Sequence, residues 1–452
     1  MLQDLRKREA DGQPIRVALV GAGAMGIGTA WQIGRTPGMR LVAIVDPAQE
    51  HARKAAEAYG QPYTLVEPGA SLPRDGSVAL LHEPFTLLDE PFTLLDRADP
   101  GIDVLVEATN TISFAARVCL AAIDRGCHVL LMNAEVDLAV GPLLAHHAAR
   151  RGVVVTSDAG DQHGVLMRMI DEIQLWAFRI VMAGNIKGFL DRHATAAGLK
   201  EEARIRNLNP IQCCAYTDGT KLNVEMALVA NAAGLPPAVL GMSGPRAKRV
   251  EDVFGLFDLD GYGDTGVVDY ILGAEPGGGV FVIGHCDDPL QREYLKYYKL
   301  GQGPYYLFYR PYHLCHLETT RAIALAALYG KAVLRHGLPR RADVYAFAKR
   351  DLVAGDELPH GIGGDHTYGL IAPAPPAEAQ RWLPITLLNT EGGAVTPTCT
   401  APCAWGLTRP KRSWPAWPIR WRRTAPSWRS KPPAPACASP PTIPGPTSSP
   451  SS

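Results

Sequence analysis

The chain has 452 residues, of which 46% are hydrophobic and 20% are charged, and its formal net charge is zero. A chain of this length and composition can bury a large core in two or three domains, which excludes a small disulfide-stapled protein. The zero net charge gives no electrostatic reason to expect a nucleic-acid or membrane partner, and no apolar run is long enough for a transmembrane helix.

Apolar runs alternate with helical stretches in the first third of the chain. Strands are predicted at 16–20 (RVALV), 41–45 (LVAIV), 104–106, 128–132 (HVLLM) and 153–156 (VVVT), and helices at 25–35, 48–59 and 113–125, after a polar lead-in helix within 1–14. Strands that alternate with helices build a parallel sheet. The predicted fold class is therefore α/β, with a Rossmann doubly wound parallel sheet.

The pattern changes after residue 158. Helical stretches at 164–178 and 222–233 mix with glycine-rich connections, and short alternating runs occupy 341–372. The sequence predicts a dinucleotide-binding domain (1–158), an α+β catalytic or substrate domain (159–338), a small β-rich module (339–393) and a tail (394–452).

The tail differs from the rest in composition. It contains 14 prolines, five of the eight tryptophans and eight basic residues, and no acidic residue follows Glu391. Such a basic, Pro-rich sequence cannot form a core, so we expect it to be disordered. The composition also fits an out-of-frame reading of a GC-rich gene. A tandem repeat of EPFTLLD at 83–96 is interpreted as a local duplication without chemistry.

The nine cysteines show no CxxC spacing, and Cys213 and Cys214 are adjacent. We expect reduced thiols, no metal site and a cytoplasmic location. The charged N-terminus has no apolar signal segment.

A glycine loop follows the first strand and opens a helix. It reads G-x-G-x-x-G from Gly21 to Gly26 and includes Gly23, Ala24 and Met25. Such glycines allow a tight turn, a close approach of the pyrophosphate to the backbone and tight packing of helix on strand. The free N–H groups of the helix N-terminus favour the phosphate charge. The loop predicts a site for NAD or NADP.

Polar residues follow the second, third and fourth strands. Asp46 ends the second strand, where a carboxylate accepts from the ribose of NAD, whereas Arg53 or Lys54 would favour NADP. Thr109, Asn110 and Asn133 follow later strands and are predicted to contact the cofactor. The alternative for the two asparagines is helix capping.

Several segments together carry a family resemblance, namely RVALVGAGAMG, HVLLMNAEVD, YTDGTKLNVEMALVANAAGL, GVVDYILG, GPYYLFYRPYHL and FAKRDLVAGDEL. On these segments the chain resembles homoserine-dehydrogenase-like NAD(P)-dependent oxidoreductases with a C-terminal SAF domain, in the group containing the DXR-like reductoisomerases. The resemblance implies that residues 339–393 form an incomplete SAF-like module.

The resemblance also implies an activity. DXR-like reductoisomerases convert 1-deoxy-D-xylulose 5-phosphate to 2-C-methyl-D-erythritol 4-phosphate, so the substrate would be a small hydroxylated carbonyl compound, with or without a phosphate group. Alternatives are a homoserine dehydrogenase, an oxidoisomerase of a branched sugar acid and a non-catalytic dinucleotide-binding protein. Homoserine dehydrogenases have a lysine directly after the asparagine of the fourth strand, where this chain has Ala134 and Glu135, which favours the DXR-like branch.

Carbonyl reduction needs a proton donor and a group that stabilises the oxyanion. Lys187 in GNIKG and Lys221 in TDGTKLNVEMA are the candidates, with Asp218 at a helix start and Glu225 one turn after Lys221. The alternative is an ordinary surface pair, Lys221 with Glu225. In homoserine dehydrogenases an Asp and a Lys in a similar stretch bind substrate and transfer a proton, which implies this role for Asp218 and Lys221.

The remaining predictions concern the substrate and assembly. Substrate contacts are predicted from Glu135, Asn207 and Arg310, although Arg310 also fits an aromatic packing strip with Tyr312. His163 is a weaker acid–base candidate. We expect a small-molecule substrate and a homo-oligomer.

Overall fold

The computed structural model describes residues 1–67, 73, 75–82, 101–205, 208–337, 339–353, 355–374, 382–391 and 393–394. The EPFTLLD repeat, the predicted substrate residue Asn207 and residues 395–452 of the tail lie outside the described residues.

A parallel sheet forms the first part of the described chain. Its strands are β1 (Ile15–Val20), β2 (Met39–Val45), β3 (Tyr63–Leu65), β4 (Val78–Leu81), β5 (Val104–Glu107), β6 (His128–Leu131) and β7 (Val155–Ser157). The spatial order is β3-β4-β2-β1-β5-β6-β7, and each described pairing is parallel. The helices are α1 (Leu2–Ala10), α2 (Ala24–Ile33), α3 (Gln49–Tyr59), α4 (Ser113–Asp124) and α5 (Ala134–Arg151). The predicted Rossmann-type α/β fold is confirmed.

The burial of the strands explains why most were predictable. Strands β1, β5 and β6 are almost wholly buried, as expected for a parallel sheet covered on both faces, so they read as continuous apolar runs. Strand β3 is exposed along its length, and β4 has only four residues. Sequence analysis missed both: β3 is exposed, whereas β4 is a buried apolar run, VALL, that was passed over.

The order of the strands creates a ligand crevice. From β1 the chain builds one side of the sheet through β2 and β4, and then returns to place β5 on the other side of β1. Ligands of such sheets bind at this switch point, beyond the carboxyl ends of the strands. The glycine loop after β1 and the polar residues after β5, β6 and β7 therefore meet at one edge.

The second part carries a mixed sheet of β8 (Arg179–Lys187), β9 (Val267–Leu272), β10 (Val280–His285) and β11 (Tyr305–Arg310), in the order β11-β10-β8-β9. Strands β8 and β9 are parallel, and the other pairs are antiparallel. The helices here are α6 (Gln162–Leu175), α7 (Lys200–Ile205), α8 (Pro210–Thr217), α9 (Thr220–Ala233), α10 (Val253–Leu256), α11 (Pro289–Tyr297) and α12 (Cys315–Tyr329), with a 3₁₀ turn at Val250–Asp252.

Helix α9 is the centre of this part, because every residue from Thr220 to Ala230 is buried. A helix buried on all sides must pair its polar side chains internally. Thr220 Oγ1 accepts from the Gly369 amide and Asn223 Oδ1 from the Ile371 amide, both at 2.9 Å. The polar groups of α9 thus bind the neighbouring strand.

That strand belongs to the β-rich end of the described chain, which contains β12 (Ala342–Ala348), β13 (Glu357–Leu358), β14 (Thr367–Pro373), α13 (Ile385–Glu391) and β15 (Gly393–Ala394). Strand β12 pairs antiparallel with β14, and β13 with β15. The predicted β-rich content is confirmed, whereas its assignment as a SAF-like module stays a prediction.

Helix α12 returns the chain to the Rossmann part. Ala322, Ile323 and Ala324 lie in one buried cluster with Leu19 and Ile44 of the parallel sheet. A Cβ at Gly28 of α2 would lie 2.6 Å from the His316 ring, so glycine permits this close crossing. The N-terminus of α12 is thereby held beside α2, the helix that the glycine loop opens.

Among the described helices, none combines the length and apolar composition needed to span a membrane. The predicted domain boundaries, homo-oligomer and cellular location stay predictions.

Candidate active site

The glycine loop has the backbone geometry that its motif predicts. Gly21 has φ of +96°, and a Cβ there would lie 2.6 Å from the backbone of Ala108. Gly23 is the N-cap of α2, and a Cβ on it would have no neighbour within 4 Å. A Cβ on Gly26 would overlap the Gly21 carbonyl. The open space above Gly23 and the free amides that begin at Ala24 and Met25 fit a dinucleotide pyrophosphate.

Asp46 holds this loop in place. Its Oδ2 accepts from the Ala22 amide at 2.7 Å, and its Oδ1 accepts from the Ala48 amide at 2.9 Å. The predicted ribose contact of Asp46 stays a prediction, since the observed partners are backbone amides. Arg53 and Lys54 are exposed on α3 and pair with Glu50.

The carboxyl ends of β5 and β6 lie next to the loop. Asn133 is the N-cap of α5: its Oδ1 accepts from the Glu135 and Val136 amides at 3.2 Å, and its Nδ2 donates to the Thr111 carbonyl at 2.8 Å. Its capping role is thus observed. Asn110 is exposed.

Glu107 lies beneath this edge, fully buried at the end of β5. Its Oε1 accepts from the Thr109 amide at 2.9 Å, whereas its Oε2 has no hydrogen-bond partner. Burial raises the pKa of Glu107 to about 8. The carboxyl group is therefore mainly neutral near pH 7.

Lys221 belongs to the second part of the chain and pairs with a residue at the carboxyl edge of the parallel sheet. Its Nζ lies 3.1 and 3.2 Å from the two carboxylate oxygens of Glu135, which stands in the first turn of α5. Burial acts to lower the pKa of Lys221, but Glu135, with Tyr216 and Asp161, outweighs it and raises that pKa. Lys221 is therefore a fixed cation at the crevice. Since it is only 8% exposed, the surface-pair alternative is wrong.

Lys187 forms a second cationic position at the end of β8. Gln162, the first residue of α6, places its amide oxygen 3.1 Å from Lys187 Nζ and its amide nitrogen 3.2 Å from Glu225 Oε1, in the amide orientation that satisfies both atoms. Lys187 Nζ lies 4.0 Å from Glu225 Oε2. The Asn185 side-chain amide lies 3.4 Å from the same oxygen. Lys187 is thus linked through Gln162 to a buried carboxyl group.

The pKa values of Glu225 and Tyr216 are also changed by this environment. Burial raises the pKa of Glu225 to about 8, against the opposing effect of Lys187. Burial also raises the pKa of the Tyr216 hydroxyl, and Asp161 and Glu225 add to that shift while Lys221 opposes it. A carboxyl group that titrates near neutral pH suits proton transfer. We call Glu135, Lys187, Lys221 and Glu225 the lysine cluster.

Two predicted residues lie in other environments. Asp218 is 2% exposed and pairs with Lys349 Nζ at 2.8 Å, and its Oδ1 accepts from the Thr220 amide at 2.8 Å. The N-cap of α9 is Gly219 rather than Asp218. Arg310 pairs with Glu318 at 2.8 Å and lies over the Tyr312 ring. The catalytic role of Asp218 and the substrate role of Arg310 stay predictions.

Sequence analysis passed over Gln162, Asn185 and Tyr216. Gln162 carried a usable signal, because it follows β7 at the carboxyl edge where such sheets bind ligands. Asn185 lies inside an apolar strand and Tyr216 inside a short helix, so neither had a local signal.

Residues 160–319 match the protein-family model described as "Oxidoreductase DRL, catalytic domain". The match contains Gln162, Lys187, Lys221 and Glu225. No curated protein matches the chain.

Several solved structures show similarity. A homoserine dehydrogenase from Thiobacillus denitrificans shares 16% identity, with a TM-score of 0.42 and coverage of 84% of this chain and 96% of that one. A myo-inositol dehydrogenase from Corynebacterium glutamicum shares 17%, with a TM-score of 0.31 and coverage of 61% and 65%.

A biliverdin reductase from Synechocystis, in complex with biliverdin and NADP+, shares 18% identity, with a TM-score of 0.27 and coverage of 40% of this chain. The chain spans about half the length of that reductase, 49%. The family-model match confirms the predicted enzyme class, an oxidoreductase.

Proposed function

We propose that the protein is an NAD(P)-dependent oxidoreductase that acts on a small hydroxylated, phosphorylated carbonyl compound, similar to the DXR-like reductoisomerases. The observation that carries the proposal is the pairing of Lys221 with Glu135. It joins the segment that matches the oxidoreductase model to the carboxyl edge of the parallel sheet, where the glycine loop lies.

The residues present fit a dinucleotide. Gly23 leaves open space in front of the first amides of α2, and Asp46 holds the loop through the Ala22 amide. A bound nicotinamide would supply or accept the hydride of the reaction. Both NAD and NADP stay candidates, since Asp46 at the end of β2 favours the first and Arg53 and Lys54 on α3 the second.

The lysine cluster supplies what carbonyl reduction requires. When the carbonyl carbon gains its new C–H bond, the electron pair of the C=O π bond moves to the oxygen. Lys221, held cationic by Glu135, stabilises that negative charge. Lys187 donates the proton to the oxygen, and Glu225, a carboxyl group with a pKa of about 8 that lies 4.0 Å from Lys187 Nζ, replaces it.

The substrate class rests on charge and on the family resemblance. Two ammonium groups at one edge favour an anionic, oxygen-rich substrate, and Arg310 is a further group that can bind a phosphate or carboxylate. Homoserine dehydrogenases have a lysine directly after the asparagine of the fourth strand, where this chain has Ala134 and then Glu135, whose carboxylate is committed to Lys221. This arrangement favours the DXR-like activity over homoserine oxidation.

The test is a turnover assay of the full chain with NADH and NADPH. The substrates are 1-deoxy-D-xylulose 5-phosphate, aspartate semialdehyde, the carbonyl partner of homoserine, and a panel of branched sugar acids. We expect cofactor oxidation with a phosphorylated hydroxy-ketone that is lost in the Lys221→Ala variant. Cofactor binding without turnover on any carbonyl substrate would overturn the proposal in favour of a non-catalytic dinucleotide-binding protein.

A further inference from the structure

Three side chains of different chemistry converge beside the lysine cluster. Asp161 is the N-cap of α6, Cys315 is the first residue of α12, and His313 lies in the turn before α12. One carboxylate oxygen of Asp161, one ring nitrogen of His313 and the Cys315 sulfur all lie within 4.8 Å of one another. Because Asp161 lies far along the chain from His313 and Cys315, the sequence alone does not indicate the group.

The geometry argues against a Cys–His–Asp relay. Cys315 Sγ lies 3.5 Å from His313 Nδ1, Asp161 Oδ1 lies 4.0 Å from the same nitrogen, and the Gly160 carbonyl oxygen lies 3.3 Å from it. A metal ion would therefore bind the tautomer that carries its proton on Nε2, in place of the Nδ1 contact to Gly160. A relay needs the nucleophile and the carboxylate on opposite ring nitrogens. Here the sulfur and the carboxylate oxygen lie near the same ring nitrogen, which is the arrangement of ligand atoms around one metal ion. The ligand atoms of a tetrahedral zinc ion lie roughly 3.5 Å apart.

His163 provides an independent observation on the other side of Asp161. It is 1% exposed, and neither of its ring nitrogens has a hydrogen-bond partner. Its Nδ1 lies 3.9 Å from Asp161 Oδ2, whereas His313 faces Oδ1. A buried imidazole without a hydrogen-bond partner calls for an explanation, and one such role is to orient a neighbouring metal ligand from behind.

We propose that Asp161, His313 and Cys315 bind a zinc-class divalent metal ion, with His163 positioning the Asp161 carboxylate. A mixed oxygen, nitrogen and sulfur ligand set selects Zn²⁺ and its analogue Co²⁺ over Mg²⁺ and Ca²⁺, which take oxygen ligands. Three protein ligands leave a fourth position open, as in catalytic rather than structural zinc sites.

The open position gives the ion a role near the lysine cluster. Asp161 is followed directly by Gln162, whose amide oxygen lies 3.1 Å from Lys187 Nζ. An ion held by Asp161 therefore lies close to the groups that handle a substrate oxygen, and it would polarise a carbonyl or hydroxyl oxygen there. The metal site stands on its own ligands and does not depend on the proposed reaction.

The test is metal binding by the full chain. After chelator treatment and dialysis, Zn²⁺ is titrated by calorimetry, and Co²⁺ is added to detect thiolate-to-cobalt absorption, which requires a cysteine ligand. We expect one Zn²⁺ per chain, retained in excess Mg²⁺, and a thiolate–cobalt band. Cys315→Ser should abolish the band, and His313→Ala should weaken Zn²⁺ binding at least about 100-fold.

Two further variants make the result specific. Cys286→Ser is the control, because Cys286 is a free cysteine that bonds to Gln291 instead, and it should keep both the band and the affinity. His163→Ala should weaken Zn²⁺ binding by about 10-fold to 100-fold while keeping the cobalt band. Absence of stoichiometric Zn²⁺ binding, or a cobalt band that survives Cys315→Ser, would overturn the site. Neither result involves turnover, so the proposed function is tested separately.

Discussion

The two sides of the crevice are built by different means. On the cofactor side, backbone groups define the site: the turn at Gly21, the free amides at the start of α2 and the Asp46 contact to the Ala22 amide. On the substrate side, four side chains from α5, β8 and α9 form the lysine cluster. A backbone site is encoded in one short segment, whereas a side-chain site depends on how distant segments pack.

The largest effect is expected from a substitution that disrupts only the cofactor side. Gly23 has φ of −68°, which valine tolerates, and a Cβ there meets nothing within 4 Å, so Gly23→Val should fold normally. Its side chain would occupy the space of the pyrophosphate and abolish NAD(P)H binding. Calorimetric titration with both cofactors checks this. Gly255→Val is the matched control, since Gly255 is also unobstructed. Wild-type affinity in Gly23→Val would show that the loop is not the cofactor site.

The next largest effect is expected from substitutions that disrupt only the lysine cluster on the substrate side. Lys221→Ala removes the fixed cation and should lower kcat by roughly 10²-fold or more, with cofactor affinity almost unchanged. Lys187→Ala should lower kcat similarly by removing the proton donor. Steady-state kinetics and cofactor titration of both variants separate the roles. If only Lys187 matters, the roles of the lysines are misassigned; if neither does, the lysine cluster is not the site of the chemistry.

A smaller effect sharpens the assignment of Glu225. Because burial raises its pKa to about 8, its proton is present below that pH and lost above it. The rate of carbonyl reduction should fall about tenfold per pH unit above that value, and Glu225→Gln should be slower and lack this limb. Glu107→Gln is the control, since the Glu107 pKa is also about 8 but its carboxyl lies outside the lysine cluster. A pH profile that keeps its limb in Glu225→Gln would assign it to another group.

The smallest effect concerns stability on the cofactor side. Burial raises the pKa of Glu107 from 4.5 to about 8, so the folded protein binds more protons than the unfolded chain within that interval. The contribution of Glu107 to stability is therefore present below pH 4.5 and lost as the pH rises toward 8. Glu107→Gln should stabilise the protein at pH 8 by roughly 1 kcal/mol or more, and less at pH 5. Urea unfolding at both pH values measures the difference, and an equal effect at both would rule out this titration.

The same contrast explains what the sequence could predict. The parallel sheet and the glycine loop were predictable, because buried strands read as apolar runs and the loop needs glycine at fixed positions. Lys187, Lys221, Glu135 and Glu225 were identified by residue type and resemblance.

Their partners were not predictable. Lys221 pairs with Glu135 rather than with Glu225, although Glu225 is one helical turn away, because α9 is buried against α5, which carries Glu135. Asp218 was predicted to act together with Lys221, yet its carboxylate pairs with Lys349 of the β-rich end. Such pairings depend on the packing of segments far apart in the chain, which a local pattern does not record.

The most direct test of the central claim is a crystal structure of the protein with bound NADP+ and a phosphorylated hydroxy-ketone. The measured quantities are the distances from the substrate oxygen to Lys187 Nζ and Lys221 Nζ, and from the substrate carbon to the nicotinamide C4. We predict that the pyrophosphate lies at Gly23 and that the reacting carbon lies about 3–3.5 Å from C4, with its oxygen facing the two lysines. A nicotinamide directed away from the Lys221–Glu135 pair would contradict the claim that the glycine loop and the lysine cluster line one crevice.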